Sequence, residues 1–387
     1  MVVTRALTLL LHDERFSGWT PKDKLVRQHF STQYLRFYRQ KGADPMLYTF
    51  HEHVKSIQVH ELDRVGLVKI FPVKFRFPPF LRFGNDHNPE SIMREMLRDK
   101  PDLVHFHHYY LFSFPYLAIF VKKRLRRPLI VQLHGVNDNC TRKWFYLPCL
   151  LALKNADRVL YSYEPEKLIY EKLGITDKVV KLPFPGVDPE VFKPQKRCSS
   201  NRLLYVGRIP DAEAARGEKS PFLLIRIFKR LLRHDKNVLL DIVGDGPGLF
   251  RSRELAQSLG VADRISFHGY VDHDDLPKYY HASALTFSPI QLYDVDGWID
   301  GSIQESLACG TPVVALRASA KARLRGKYGF LLSNNTEKAA EELHGLLKAP
   351  EEMNQVASDA SKFVRENCSC DRVVSELDRA LEGVVRN

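Results

Sequence analysis

The sequence contains no apolar run approaching the ~18 residues that span a bilayer. Cysteine is scarce: Cys140, Cys149, Cys198, Cys309, Cys368 and Cys370 are the six in 387 residues, and no CxxC pair occurs among them. A disulfide framework and a structural zinc site are therefore not expected, and Cys368-Ser369-Cys370 is too tight for an ordinary bridge. Scattered thiols of this kind suit a reducing compartment, so a cytoplasmic protein is expected. The opening MVVTRALTLLLHDE has an apolar core of only about six residues before charge appears; that is short for a secretory leader, and it reads as a first strand. Low-complexity tracts and short-period repeats are also lacking.

What is present is an ordinary globular composition, 44% hydrophobic and 27% charged, in a chain longer than one usual hydrophobic core, so two domains are expected. The net charge of +12 is unevenly spread: residues 1–195 hold 31 Lys+Arg against 20 Asp+Glu, and the remainder holds 27 against 26. One domain thus faces something anionic. Nucleic acid is not expected, because no recognised binding module accompanies the charge.

Strands and helices alternate along the first half. Ala6–Leu11, Met46–Phe50, Leu67–Phe71, Leu103–Phe106, Leu129–Leu133, Arg158–Tyr161 and Val179–Leu182 read as strands, with helices near Lys22–Gln40, Pro89–Arg98 and Phe112–Arg124. After a Pro-rich polar segment, a second series contains strands Leu203–Val206, Val238–Val243, Arg264–Phe267, Ala284–Phe287 and Pro312–Leu316. Its helices are Pro221–Arg233, Pro247–Leu259, Ile303–Cys309 and a run from Thr336 to Asn387. The expected organisation is a doubly wound domain over 1–183, a linker over 184–200, a second doubly wound domain over 201–366, and a terminal segment 367–387. Ligands of such folds sit at the carboxyl ends of the strands.

Several motifs stand at strand ends. LLDIVGDGP, residues 239–247, is a buried strand running into a glycine turn, with Pro247 expected at the first helical position; Gly244, Asp245 and Gly246 could approach a ligand or simply form a tight turn. LLYVGR ends in Gly207 and Arg208, with Lys219 at the next helix start. Two cations there suit a diphosphate leaving group, although solvated side chains are the plainer alternative. His134 closes the strand Leu129–Leu133. Glu305 is expected in the first turn of its helix, as a dipole partner or a ligand contact beside free N–H groups. His105 and His107 share a strand face, and Asp294-Val295-Asp296 resembles a metal-binding pair; neither set has a third ligand at clear spacing, so no metal is expected. FRFPPFLRF (75–83) and VKKRLRR (121–127) combine aromatic and basic residues, as a surface for anionic lipid or as a buried loop beside a solvated basic face.

Taken in order, LLYVGR, LLDIVGDGP, ISFHGYV and QESLACGTPVVA resemble the retaining glycosyltransferases of family four. PDLVHFH, the strand-end LHG, ADRVL and PGVDPEVFKP extend the resemblance over nearly the whole chain. It implies the GT-B fold, two Rossmann-like domains facing across a cleft, with the acceptor in the N-terminal domain and the last helix crossing back to brace it. It also implies transfer of a sugar, with retention, from a nucleotide-diphosphate-sugar donor to a lipid-linked, polysaccharide or other glycan acceptor. No cofactor and no obligatory metal are needed. Arg208 and Lys219 would hold the donor diphosphate and Glu305 the nucleotide ribose. His134 would touch the transferred sugar. Gly207, Gly244, Asp245, Gly246, Asp296, Gly301 and Ser302 would line the nucleotide-sugar. An anionic membrane surface, met peripherally on its inner face, is the further expected partner.

The sequence departs from the family in three places. Ten residues, Ile209–Glu218, separate Arg208 from Lys219, longer than is usual. The loop His12 to Asp23 offers only Gly18 where many members carry a glycine pair. The third departure is one displaced acid. The family carries a second acid eight positions before the one matched by Glu305; here that position is Gly297, and Asp296 stands one residue further. Asp294 and Asp300 are the other acids of that loop. Two alternatives follow: a nucleotide-sugar epimerase of the same fold, or a non-catalytic homologue that binds a partner or an anionic surface.

Overall fold

The computed structural model describes residues 3, 5–13, 30–51, 54–62, 66–72, 89–107, 113–132, 143–162, 164–182, 186–195, 200–210, 221–288, 301–316 and 329–384. Contacts divide the chain into two compact units. Residues 1–182 with 374–387 form the first, and 183–373 form the second.

The strands of unit 1 are β1 (Arg5–Asp13), β2 (Asp44–His51), β3 (Gln58–Leu62), β4 (Gly66–Pro72), β5 (Leu103–His107), β6 (Leu129–Gln132), β7 (Arg158–Tyr161) and β8 (Val179–Lys181). They form one sheet in the order β3-β4-β2-β1-β5-β6-β7-β8, parallel except for β3 on β4. The helices are α1 (Phe30–Gln40), α2 (Pro89–Asp99), α3 (Ser113–Phe120), α4 (Lys143–Asn155) and α5 (Glu164–Lys172). The doubly wound architecture expected from the alternation is therefore present. The unexpected strand β3 reads QVHEL and buries no residue; an edge strand held by backbone pairing leaves no apolar face in the sequence to recognise it by. The helix expected over Phe112–Arg124 is α-helical only to Phe120. It then widens into a π turn, Val121–Leu125, closed by Arg126 in the left-handed region at φ 55°.

The two faces of the central strands differ. Leu7, Leu9, Val104, Phe106, Leu129 and Val131 join α2, α3 and α4 in an apolar core, each fully buried side chain of this kind contributing about 2 kcal/mol. The opposite face, under α1, carries Thr8, His105, His107 and Gln132, all fully buried.

Unit 2 is built from β9 (Arg202–Val206), β10 (Leu239–Val243), β11 (Ile265–Gly269), β12 (Leu285–Ser288), β13 (Val313–Leu316) and β14 (Phe330–Leu332). All are parallel, in the order β11-β10-β9-β12-β13-β14. Its helices are α6 (Pro221–Leu231), α7 (Leu249–Ser258), α8 (Leu276–Ala282), α9 (Gly301–Ala308), α10 (Thr336–Leu347) and α11 (Pro350–Asn367). The last helix, α12 (Cys370–Leu381), ends in unit 1, where Asp378 pairs with Lys41 and Arg158 donates to the Glu382 carbonyl at 3.2 Å. Val187 and Phe192, before β9, are buried in the core of unit 2.

Candidate functional site

In unit 2 the chain runs outward from β9 in one direction, through β10 to β11, and then returns to β12 on the other side of β9. The carboxyl ends of β9 and β12 therefore form the topological switch point, where open α/β sheets bind their ligands. Gly207 and Arg208 leave β9 at this point. Arg208 is exposed, and its carbonyl accepts from the Tyr205 hydroxyl at 2.9 Å.

The glycine turn after β10 lies directly against this segment. Gly207 N–H donates to the Val243 carbonyl at 3.1 Å and Ile209 N–H to the Asp245 carbonyl at 2.9 Å. Gly244 and Gly246 have φ of 139° and 145°, and a Cβ on them would meet the Gly207 and Ile209 carbonyl oxygens at 1.8 and 2.3 Å. These glycines are thus required by the approach of one strand-end loop to the other, which fixes the backbone that carries Arg208. Gly248 belongs to the same contact, its Cβ position lying 2.1 Å from the Pro210 carbonyl oxygen. The sequence does not single it out, because Gly248 lies beyond the Gly244–Gly246 turn that follows the strand. Pro247 is also not the first helical residue: α7 starts at Leu249 with Gly248 at its N-cap, since the turn is consumed by this packing. Asp245 closes the turn on itself, accepting from Gly246 N–H at 2.7 Å.

Glu305 differs from its expected setting. α9 begins at Gly301, two residues earlier than expected, so Glu305 lies in the second turn and no acid occupies the first. The free N–H groups belong instead to the turn that starts with Gly301 and Ser302. The Glu305 carboxylate is held from another direction. His273 Nε2 lies 2.9 Å from Oε1, and the Tyr280 hydroxyl donates to Oε2 at 2.8 Å. The Phe192 ring packs against the His273 ring at 4.8 Å, and the Tyr280 side chain is fully buried. Ser306 ties the same helix to β12 through Thr286 at 2.7 Å. The Glu305 side chain keeps 14% exposure, and a carboxylate has about four acceptor positions, so two hydrogen bonds leave capacity for hydroxyl donors. Burial first, and then the Glu305 charge, pushes the Cys309 thiol up to about 12, so this cysteine stays protonated and is no nucleophile. Nothing in the sequence pointed to His273 or Tyr280, which precede Glu305 by 32 and 25 positions in a different segment.

Lys219, His134, Asp294, Asp296, Asp300 and the segment 75–83 lie outside the described residues. His105 and His107 do share a face, with ring centroids 4.2 Å apart. Both are fully buried, and His105 Nδ1 meets the Tyr38 hydroxyl at 2.9 Å. Among the described residues no group of three or more His, Cys, Asp or Glu could hold a metal ion. The basic run Lys122, Lys123, Arg124, Arg126 and Arg127 sits at the amino end of β6, at the opposite end of the sheet from its strand-end loops. There Lys122 pairs with Asp157 at 2.7 Å and Arg127 with Asp102 at 3.5 Å. No helix among the described residues is long and apolar enough to cross a membrane.

Comparison with known proteins bears on both units. A family described as glycosyl transferases group 1 matches residues 188–363, and one described as glycosyltransferase family 4 matches residues 31–191. The D-inositol 3-phosphate glycosyltransferase of Nocardiopsis dassonvillei is 31% identical over 250 residues, covering 58% of this chain and 55% of that protein. The protein of the same name from Thermobifida fusca is 31% identical over 183 residues, 42% of this chain and 40% of its own. The chain thus spans about half the length of the curated relatives it matches. Among solved structures, sucrose-phosphate synthase from Thermosynechococcus elongatus superposes with a TM-score of 0.70 at 17% identity, over 98% of each chain. Anabaena HepE in complex with UDP gives 0.67 at 16% identity, over 98% of this chain and 99% of that one. At such identities the likeness establishes the fold.

Proposed function

The chain belongs to the group 1, family four glycosyltransferases with the GT-B fold, and from that membership we propose that it transfers a sugar, with retention, from a nucleotide-diphosphate-sugar to a glycan, polysaccharide or lipid-linked acceptor. What supports this reading is that β9 and β12 are neighbours at the switch point of unit 2: Arg208 follows β9 on a glycine-locked loop, and α9 is the helix that follows β12. Charge develops on the diphosphate as the glycosidic bond breaks. A guanidinium and oriented N–H groups stabilise it without rearranging at that moment. Lys219 adds a second cation. Glu305, held by His273 and Tyr280, offers its remaining lone pairs to the ribose hydroxyls of the nucleotide. HepE, whose structure contains UDP, supports a uridine nucleotide as the first donor to test.

Unit 1 holds the acceptor in this reading, and His134 keeps the sugar contact that the family resemblance gives it. The acceptor hydroxyl attacks from the leaving-group face, which accounts for retention without a protein nucleophile, and no metal is required. A peripheral place on an anionic membrane is part of the same proposal for the acceptor-binding unit.

Purified protein with UDP-sugars and a panel of acceptors provides the test. Arg208→Ala is expected to lower kcat by about 10²–10³-fold, and Glu305→Ala to raise the donor KM. Transfer by both variants at the wild-type rate would refute the site. Acceptor-free isomerisation of the donor, without release of nucleoside diphosphate, would show an epimerase instead.

A further inference from the structure

Resting on the peripheral membrane placement proposed above for unit 1, we propose that the outer faces of α3 and α4 form the docking surface for an anionic lipid bilayer. Both helices pack their inner residues into the apolar core of unit 1, Phe114, Leu117 and Ala118 from α3, Ala152 and Leu153 from α4. An amphipathic surface helix would turn polar residues outward. These two do not. Tyr116 and Ile119 on α3 are 56% and 41% exposed, and Leu147 and Leu151 on α4 are 59% and 41% exposed.

Each exposed pair is followed in the chain by a lysine. Tyr116 and Ile119 lead to Lys123, and Leu147 and Leu151 lead to Lys154, both lysines being exposed. On α4, spacings of four and three place Leu147, Leu151 and Lys154 on one side; on α3, Tyr116 and Ile119 are three apart, and Lys123 lies in the π turn that follows. Because α3 follows β5 and α4 follows β6, and each returns to the start of the next strand, the helices run side by side in the same direction. Their apolar residues therefore lie together, with the lysines at one common end. Arg124 and Arg126 extend that end and are exposed.

The charge identifies the occupant. Residues 113–127 and 143–155 carry seven Lys and Arg and no Asp or Glu; Lys122 and Arg127 pair with Asp157 and Asp102, and Lys123, Arg124, Arg126 and Lys154 are exposed. A second copy of this face would bring like charges together, which disfavours a symmetric dimer. An anionic bilayer offers the complement to both components: acyl chains for Tyr116, Ile119, Leu147 and Leu151, and phosphate headgroups for the lysines and arginines, whose stems reach back along the apolar surface. Basic residues alone would make a surface dependent on salt only. The apolar stripe adds a component that salt does not screen.

Co-sedimentation with phosphatidylglycerol/phosphatidylcholine vesicles tests the surface, with pure phosphatidylcholine vesicles as the reference. The wild-type protein is expected to bind the anionic vesicles and to be released only in part by high salt. Leu147→Ser with Leu151→Ser should weaken the partition about tenfold and make the remainder fully salt-sensitive. Lys123→Gln with Lys154→Gln should weaken it about fivefold per charge. Circular dichroism establishes that each variant is folded, and the two pairs act on different helix positions, so a folding defect in one leaves the other informative. The proposal is overturned if wild-type protein fails to bind anionic vesicles at low salt, or if both folded variants bind like wild type. It is equally overturned if sedimentation shows a concentration-dependent dimer that the serine variant abolishes, which would assign the face to a second copy.

Discussion

The two units repeat one architecture and build the polar parts of their sheets in opposite ways. In unit 2, Gly244 and Gly246 let two strand-end loops approach backbone to backbone, and Arg208, on one of them, is exposed. In unit 1 the corresponding strands, β1, β5 and β6, carry Thr8, His105, His107 and Gln132 into a fully buried polar layer under Tyr34 and Tyr38 of α1. The first arrangement stores its precision in backbone geometry, so that a single methyl group disrupts it. The second stores it in ring packing, in the Tyr38–His105 hydrogen bond and in the protonation state of an imidazole. Substitution and pH should therefore affect the two units differently.

The largest expected effect is at Gly244. Alanine there adds a Cβ 1.8 Å from the Gly207 carbonyl oxygen at a φ of 139°, combining overpacking with a backbone conformation that alanine avoids. Together these cost about 3–4 kcal/mol. Gly42, with φ 77° and nothing within 4 Å of its Cβ position, is the control from unit 1, and alanine there should cost about 1 kcal/mol. Urea unfolding of the two variants makes the comparison. Equal midpoints would show that the backbone contact in unit 2 is not the rigid element described above.

A smaller effect, of the opposite location, is set by pH. Burial pushes His105 down to about 3. Between that value and the ~6.5 of an exposed imidazole, the unfolded chain binds a proton that the folded unit does not. Stability contributed by the neutral ring is therefore full above about pH 6.5 and falls as the pH falls. From pH 7 to pH 5 the loss amounts to about 2 kcal/mol. Denaturation of the wild type and of His105→Gln at both pH values should differ by that amount in pH dependence. An identical pH dependence in the two proteins would mean that the imidazole is not held neutral.

Much of this was legible before any coordinates. Strand-then-glycine patterns marked β9 and β10, and period-two spacing placed His105 and His107 on one face. What stayed hidden has physical reasons. Gly248 acts through Pro210, a neighbour in space but not in sequence. The anchors of Glu305, His273 and Tyr280, come from the segment after β11 and leave no spacing for a motif to record. Strand β3 has no apolar face. The basic run at 122–127 suggested a surface by charge alone. The apolar half of the candidate lipid face is split between helices separated by β6, one of which, α4, was not expected at all.

The smallest expected effects isolate one hydroxyl in each unit. Tyr280 and Tyr38 are both buried tyrosines that bond across secondary structure, to a carboxylate at 2.8 Å in unit 2 and to an imidazole nitrogen at 2.9 Å in unit 1. A hydrogen bond to an ionised acceptor is worth about 2 kcal/mol and one to a neutral acceptor about 1 kcal/mol. Tyr280→Phe should therefore destabilise more than Tyr38→Phe, by about 1 kcal/mol, in paired denaturation curves. It should also weaken the binding of a uridine nucleotide measured by calorimetry, because Glu305 loses one of its two anchors, whereas Tyr38→Phe should leave that binding unchanged. A Tyr280→Phe protein that is destabilised yet binds nucleotide like wild type would confine the Tyr280–Glu305 contact to folding, and would separate Glu305 from the nucleotide site.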